Sequence, residues 1–219
     1  MDTNMIPGLI KAEFGYEGTI KLDSWAGFQS RNGGYGSISS SEDFDGSCRL
    51  ATGGDMADNN PEIKDFHIKA YEFTIKNQEL IKNMILEYLQ KEYKGLQEEY
   101  GYDDEEKEQY MPDVLDISGF RKLIGLSNVH LLNVEKEGIG YVGYEFGCTW
   151  DNEHGFGVMT HKDRIVSFGG ADSSFLTWIA RKDIEPIEKE TDDSKSEETD
   201  TQNKTEIIDN RKPWWKFWK

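Results

Sequence analysis

Residues 148–163 read CTWDNEHGFGVMTHKD and gather a thiol, two histidines, three acids, an indole and two glycines into sixteen positions. Three uses of such groups compete. An Asp or Glu beside a His is a proton-transfer pair when a pocket brings their acidities toward neutrality. A zinc site needs three or four ligands converging within about 2.0–2.3 Å of one point. The third use involves no chemistry: an Asp at the mouth of a hairpin accepts hydrogen bonds from amides two or three residues on and holds a turn. The candidate residues are Asp151, Glu153, His154 and His161, with Arg164 just beyond them.

The strands that carry these residues decide among the three. YVGYEFGCTWD sets Val142, Tyr144, Phe146, Cys148 and Trp150 on one face and Tyr141, Gly143, Glu145, Gly147 and Thr149 on the other, the period-two pattern of a strand. With Asp151–Gly155 as the connection, the favoured register places Trp150 opposite Phe156, Cys148 opposite Val158 and Phe146 opposite Thr160. Gly155 falls where such a loop needs a left-handed residue. His154 and His161 then lie at opposite ends of a strand, roughly 20 Å apart at ~3.3 Å per residue, too far to share an ion. His161 is expected near Glu145. The reading favoured on residues alone is a structural turn with a recognition surface at Asp151, Glu153, His154, His161 and Arg164. A catalytic role for the same acids and histidines stays open, and no metal is expected.

Upstream, FGYEGTIKLDSWAGF alternates Tyr16, Gly18, Ile20 and Leu22 with polar neighbours and predicts two strands. RNGGYGSISSSEDFDGSCRLATGGD lacks the Gly-Lys-Ser/Thr ending of a phosphate loop and reads as a hairpin or surface loop. From Pro61 the period changes to three and four, through Ile63, Phe66, Ala70, Phe73, Leu80, Ile81, Met84, Ile85, Tyr88 and Leu89. That pattern predicts a long helix capped by Asn60, running to about Lys94 with a break near Asn77, and covering a sheet. The acidic run Asp103–Glu108 lacks calcium-loop spacing and reads as a solvated loop. A short helix capped by Ser118 and ended by Gly125 is expected at FRKLIG. His130 alternates with Val129 and Leu131 as a packed or edge strand histidine. A last helix is expected over 171–180, capped by Asp172 or Ser173. The fold class is α+β: an antiparallel sheet against a long helix, a short C-terminal helix on the other face, and a disordered tail.

Three segments follow from composition: a domain at 1–185, an acidic linker at 186–211 and a Trp-rich basic tag at 212–219. The chain carries −17; the linker contributes −5 and the tag +3, leaving −15 on the domain. Such a body repels phosphate backbones, so no nucleic-acid partner is expected, whereas a basic protein is steered toward it. Trp214, Trp215, Phe217 and Trp218, set among Lys212, Lys216 and Lys219, suit a membrane interface or an apolar groove. They form a tag for weak membrane-surface contact or for a protein. The start, MDTNMIPGLIKAEF, is unlike a secretory leader, no spanning stretch occurs, and Cys48 and Cys148 make no disulfide framework. A cytoplasmic setting with reduced thiols is the expectation. No nucleophile turn or cofactor fingerprint is present, so no cofactor is expected.

The run from Gly138 to Ala180 resembles a bacterial family of uncharacterised domains. Its pattern is Gly-Tyr-x-Phe-x-Cys-Thr-Trp-Asp-x-Glu-His-Gly-x-Gly-Val, then His-x-x-Arg and Gly-x-Ala-Asp, matched here by Cys148, Trp150, Asp151, Glu153, His154, Gly155, Gly157, Val158, His161, Arg164, Gly170, Ala171 and Asp172. The resemblance implies a small cytoplasmic protein, similar in setting to immunity proteins that neutralise toxins. Taken together, the expected function is non-catalytic binding of a basic protein partner, a toxin in the immunity case. Two alternatives stand beside it: a hydrolase-type enzyme using Asp151, Glu153, His154 and His161, and a peripheral membrane adaptor working through the tag.

Overall fold

Seven strands in sequence order make one sheet: β1 (Ile10–Ala12), β2 (Gly15–Lys21), β3 (Ser47–Gly53), β4 (Ile124–Lys136), β5 (Ile139–Cys148), β6 (Phe156–His161) and β7 (Arg164–Gly169). The computed structural model describes residues 6–30, 43–53 and 62–185. Most of the Gly/Ser-rich segment, the Asn60 cap, the linker and the tag lie outside the described residues.

All neighbouring strands are antiparallel except β3 and β4, which run parallel. The purely antiparallel expectation is corrected here, and the cause is the insertion between them. A chain that leaves β3 and passes through helices α1 (Asp65–Lys76), α2 (Gln78–Tyr100) and α3 (Asp104–Tyr110) can re-enter beside β3 in the same direction, whereas a hairpin cannot. Only one strand, β2, lies in the stretch where two were expected; its partner β1 precedes it.

The predicted helix beyond Pro61 is two helices that meet at Asn77, whose side-chain amide donates to the Phe73 carbonyl and helps end the first. Their apolar stripe, including Ala70, Ile81, Ile85 and Leu89, packs with Val142, Tyr144, Phe146 and Val158 into the main core. The acidic run is helical rather than looped. Asp103 accepts from the Glu105 and Glu106 amides, and three acids in the first turn oppose the positive end of the helix dipole. At FRKLIG a 3-10 segment, Ile117–Lys122, is capped by Asp116 instead of Ser118, and Gly125 is already inside β4.

The second face is covered over only part of its width. The expected 171–180 helix divides into a 3-10 strap, Ala171–Ser174, and α4 (Thr177–Ile184). Leu132, Val134, Tyr141, Met159, Ile179 and Ala180 make a smaller core beneath α4. The strap lies so close to the sheet that a Cβ at Gly143 would sit 1.6 Å from the Ser174 carbonyl oxygen, and one at Gly157 2.5 Å from that of Gly170. Those glycines therefore admit the strap's backbone.

α4 is held at its far end by Asp183. This carboxylate takes two hydrogen bonds from the Arg164 guanidinium, at 2.9 and 2.6 Å, one from Tyr141 Oη at 2.7 Å and one from Lys136 Nζ at 3.1 Å. Burial raises its pKa, but the bonds from Arg164, Tyr141 and Lys136 outweigh that and hold it well below the usual carboxylate range.

His67 starts the helical layer. Its Nδ1 accepts from the Lys64 amide at 3.0 Å and caps α1, with the ring fully buried. Burial, helped by the Lys64 charge, pushes its pKa down from 6.5 to about 4. Unfolded, His67 takes its proton near pH 6.5; folded, it resists until about pH 4. The stability this buried neutral ring permits is fully present above 6.5 and is lost as pH falls from 6.5 toward 4, by up to about 3 kcal/mol. A His67→Asn variant, which keeps an acceptor for Lys64, is expected to flatten that part of the curve of urea-unfolding free energy against pH. Gly143→Ala is expected to lose about 3 kcal/mol or more in the same assay, because backbone atoms cannot yield to the added methyl.

Candidate functional site

β5 and β6 pair Phe146 with Phe156, Tyr144 with Val158 and Val142 with Thr160. The expected register, with Trp150 opposite Phe156, is displaced by four residues. An even displacement leaves every side chain on its expected face, so the apolar pattern alone could not separate the two. Long-range bonds decide it by drawing residues 149–150 out of the hairpin. The Thr149 amide donates to Leu123 O at 2.9 Å, its hydroxyl donates to Tyr110 O, and Tyr102 Oη donates to Trp150 O at 2.7 Å. Trp150 stays buried, edge-on to Tyr93.

Asp151 closes the loop that results. Oδ1 accepts from the His154 amide at 2.8 Å, its carbonyl accepts from the Gly155 amide at 3.0 Å, and Oδ2 accepts from Tyr100 Oη at 3.0 Å. Gly155 has the left-handed backbone the turn requires, φ 65°. Burial, followed by the Asp151 charge, pushes the Tyr100 phenol far above its usual pKa and keeps it a donor. The loop is in turn tied to the strap by Ala171 N–H donating to His154 O.

The five predicted residues separate into two groups. Asp151, Glu153 and His154 stay together: His154 Nδ1 is 3.1 Å from Asp151 Oδ1 with its side chain 75% exposed, and Glu153 is exposed beside it. His161 is elsewhere. It is buried at the end of β6, its Nε2 donating to Lys136 O at 2.9 Å and its ring 4.8 Å from Tyr141. The expectation that it lies by Glu145 is thus corrected. With residue 146 opposite 156, position 161 comes beside 141, and Glu145 lies opposite Gly157. Arg164 clasps Asp183. Among the described residues, no group of three or more His, Cys, Asp or Glu could hold a metal ion.

The larger feature escaped the sequence reading. Beyond the strap, the second face of the sheet is open, and a polar row crosses four strands: Thr19, Arg49, Asn128 and Glu145 are consecutive cross-strand partners. Glu17 pairs with Arg49 at 2.5 Å, and His130 Nε2 lies 2.8 Å from Glu145 Oε2 with its ring against Phe175. Glu17, the four residues of the row and the Asn152–Gly155 loop bound a groove of about 970 Å³. Asn152 Oδ1, in its wall, is buried without a hydrogen-bond partner among the described residues. The signal was present in Glu17, Thr19 and Lys21, and again in Asn128 and His130, as the polar phase of strands read only for their apolar phase.

Residues 16–176 match a family model described as a domain of unknown function, DUF6985. The chain belongs to this family. No curated protein and no solved structure matches it. The DUF6985 span takes in β2 from its second residue, β3 to β7, the strap and all of the groove lining except Gly8 and Ile10.

Two chemical uses of the site can be compared. One His–carboxylate pair, His130–Glu145, has its carboxylate in the groove, and a second, Asp151–His154, stands exposed on the loop; such a pair could relay a proton. No activated thiol accompanies them. Cys48 is buried and its pKa is pushed up to about 12 by that burial, which keeps it a thiol at neutral pH. The Ser127 hydroxyl donates to the Glu145 carbonyl. In the DUF6985 domain Asp151 is therefore a clamp. Asp151→Ala is expected to cost about 2 kcal/mol in urea unfolding and to speed amide exchange at His154 and Gly155, while His154→Ala changes stability by less than about 0.5 kcal/mol.

Proposed function

We propose that this DUF6985 chain is a non-catalytic cytoplasmic binding protein of the immunity type. It neutralises a basic protein partner by seating a cationic segment of it in the open sheet-face groove. The observation that carries the reading is the groove's charge: Glu17, Glu145 and Glu153 line it against one guanidinium, Arg49, whose ion pair with Glu17 leaves the carboxylates of Glu145 and Glu153 in excess. A rim this acidic on a body of −15 speeds encounter with a cation and discourages nucleic acid and anionic lipid. The Asp151–His154 pair supports binding over catalysis, because its imidazole stands in solvent at the loop crest, where water would screen any developing charge.

The hydrolase alternative keeps one favourable observation, the contact of His130 with Glu145, whose carboxylate lines the groove. It would make His130 indispensable to turnover. The peripheral-membrane alternative rests on the tag alone, outside the described residues.

The experiment is an affinity capture from the source cells with the full chain as bait, followed by stopped-flow association with the protein recovered. A partner of high isoelectric point is expected, with an association rate that falls about tenfold between 50 and 500 mM salt. Glu145→Gln with Glu153→Lys is expected to weaken it by about tenfold or more, whereas His130→Gln leaves it near the parent value. A partner indifferent to both salt and the double substitution would sink the proposal.

A further inference from the structure

A second groove, of about 1,020 Å³, opens on the other side of the 151–155 loop, and its character is opposite to the first. Tyr100 and Phe175 present part-exposed rings to it, over an apolar base of Leu96, Trp150, Phe156 and Phe168 whose side chains are almost wholly buried. Glu99, Asp151, Glu153 and Asp172 stand around it, with no Lys or Arg in its lining. A surface that combines aromatic faces with a ring of carboxylates is complementary to a peptide of aromatic residues punctuated by cations. The chain contains such a peptide, KPWWKFWK, and within the described residues that peptide has no counterpart.

We propose that Lys212–Lys219 docks in this groove of its own domain, its tryptophan and phenylalanine rings against Tyr100, Phe175 and the apolar base and its lysines toward the acidic rim. Reach permits it. α4 begins two residues after Phe175, and its eight residues rise only about 12 Å. The number of residues in 186–211 is enough to bridge about 28 Å, the root-mean-square reach of a random chain of that length. Tethering at that length gives the tag a millimolar effective concentration at the groove, so that even weak intrinsic affinity fills it. The acidic composition of the linker fits the same arrangement, since an acidic body repels it and leaves the basic tag as the part that is attracted. The tag's site shares Glu145, Glu153, His154, Gly155 and Ala171 with the sheet-face groove, whereas its aromatic residues, Leu96, Glu99 and Asp172 belong to it alone, and the docking does not depend on the partner reading above.

Acrylamide quenching of tryptophan fluorescence in the full chain tests this. Trp25 and Trp150 are buried, so in a Trp178→Phe background the quenchable indoles are those of the tag. Quenching is expected to rise at least about twofold on Glu99→Lys with Asp172→Lys and on adding 0.5 M NaCl, in protein that light scattering shows to be monomeric. Equal quenching of the parent and the double variant at low salt would overturn the docking. Protection found only in dimers would assign the tag to a second copy, and protection found only with phosphatidylglycerol vesicles would assign it to a membrane; either result also overturns the proposal. A second measurement guards against unfolding by the charge reversals. Free Lys212–Lys219 peptide is expected to bind a full chain carrying Trp214→Ala, Trp215→Ala, Phe217→Ala and Trp218→Ala, whose groove is intact. No binding by calorimetry in low salt would refute the docking independently.

Discussion

The approach of the Ala171–Ser174 backbone to β5 and β6 governs what the rest of the domain can do. At 1.6 Å from where a Gly143 Cβ would be, the strap's carbonyl allows no side chain at that position. The strap therefore covers β6 and the β5 positions beneath it and leaves β2, β3 and the start of β4 uncovered. One face of the sheet is sealed by α1 and α2 along its apolar stripe. The other is half sealed, and the boundary is a line of backbone contacts with little freedom to shift. Clasping α4 through Asp183 extends the same seal, so the open half is a fixed surface and not a gap awaiting closure.

An open sheet face must be polar to stay open. Thr19, Arg49, Asn128 and Glu145 supply that polarity; Arg49 forms an ion pair with Glu17 and Glu145 a hydrogen bond with His130, and neither fills the groove. The 149–155 loop stands at the boundary between the covered and open halves. Three tyrosines reach it or its base: Tyr100 at Asp151, Tyr102 at Trp150, and Tyr110 through its carbonyl at Thr149. All three come from the end of α2 and from α3 or the residues between them. The inserted helical layer, which covers the first face, thus also positions the crest between the two grooves on the far side.

Much of this was legible from residue order, and the failures share a physical cause. Strand phase, helix period and the break at Asn77 are local, and each was visible in one short stretch. Asp151 as a turn residue and Gly155 as its left-handed partner were visible too, because both roles are fulfilled within four residues. The register of β5 on β6 was not, since pairings displaced by four residues expose the same faces. Bonds from residues tens of positions away choose between them. The parallel pairing of β3 with β4 and the capture of Arg164 by Asp183 are likewise non-local. The polar row was missed for another reason: each member is one unremarkable hydrophilic residue in its own strand, and only the sheet places the four side by side.

The motif around residue 151 attracts notice as chemistry, yet nearly every residue in it answers a structural demand first. Gly157 admits the strap, Trp150 seals the core under the loop, Asp151 binds two backbone amides and a phenol, and His161 caps the Lys136 carbonyl. Within 148–161 only Glu153 and the imidazole of His154 are left exposed to water. This sequence pattern therefore records the construction of a crest between two grooves. One groove is ionic and hydrogen-bonding, and the other is aromatic with an acidic rim. The two linings thus share an acidic character and differ in apolar content, so any difference between the ligands they suit would lie in apolar content more than in charge.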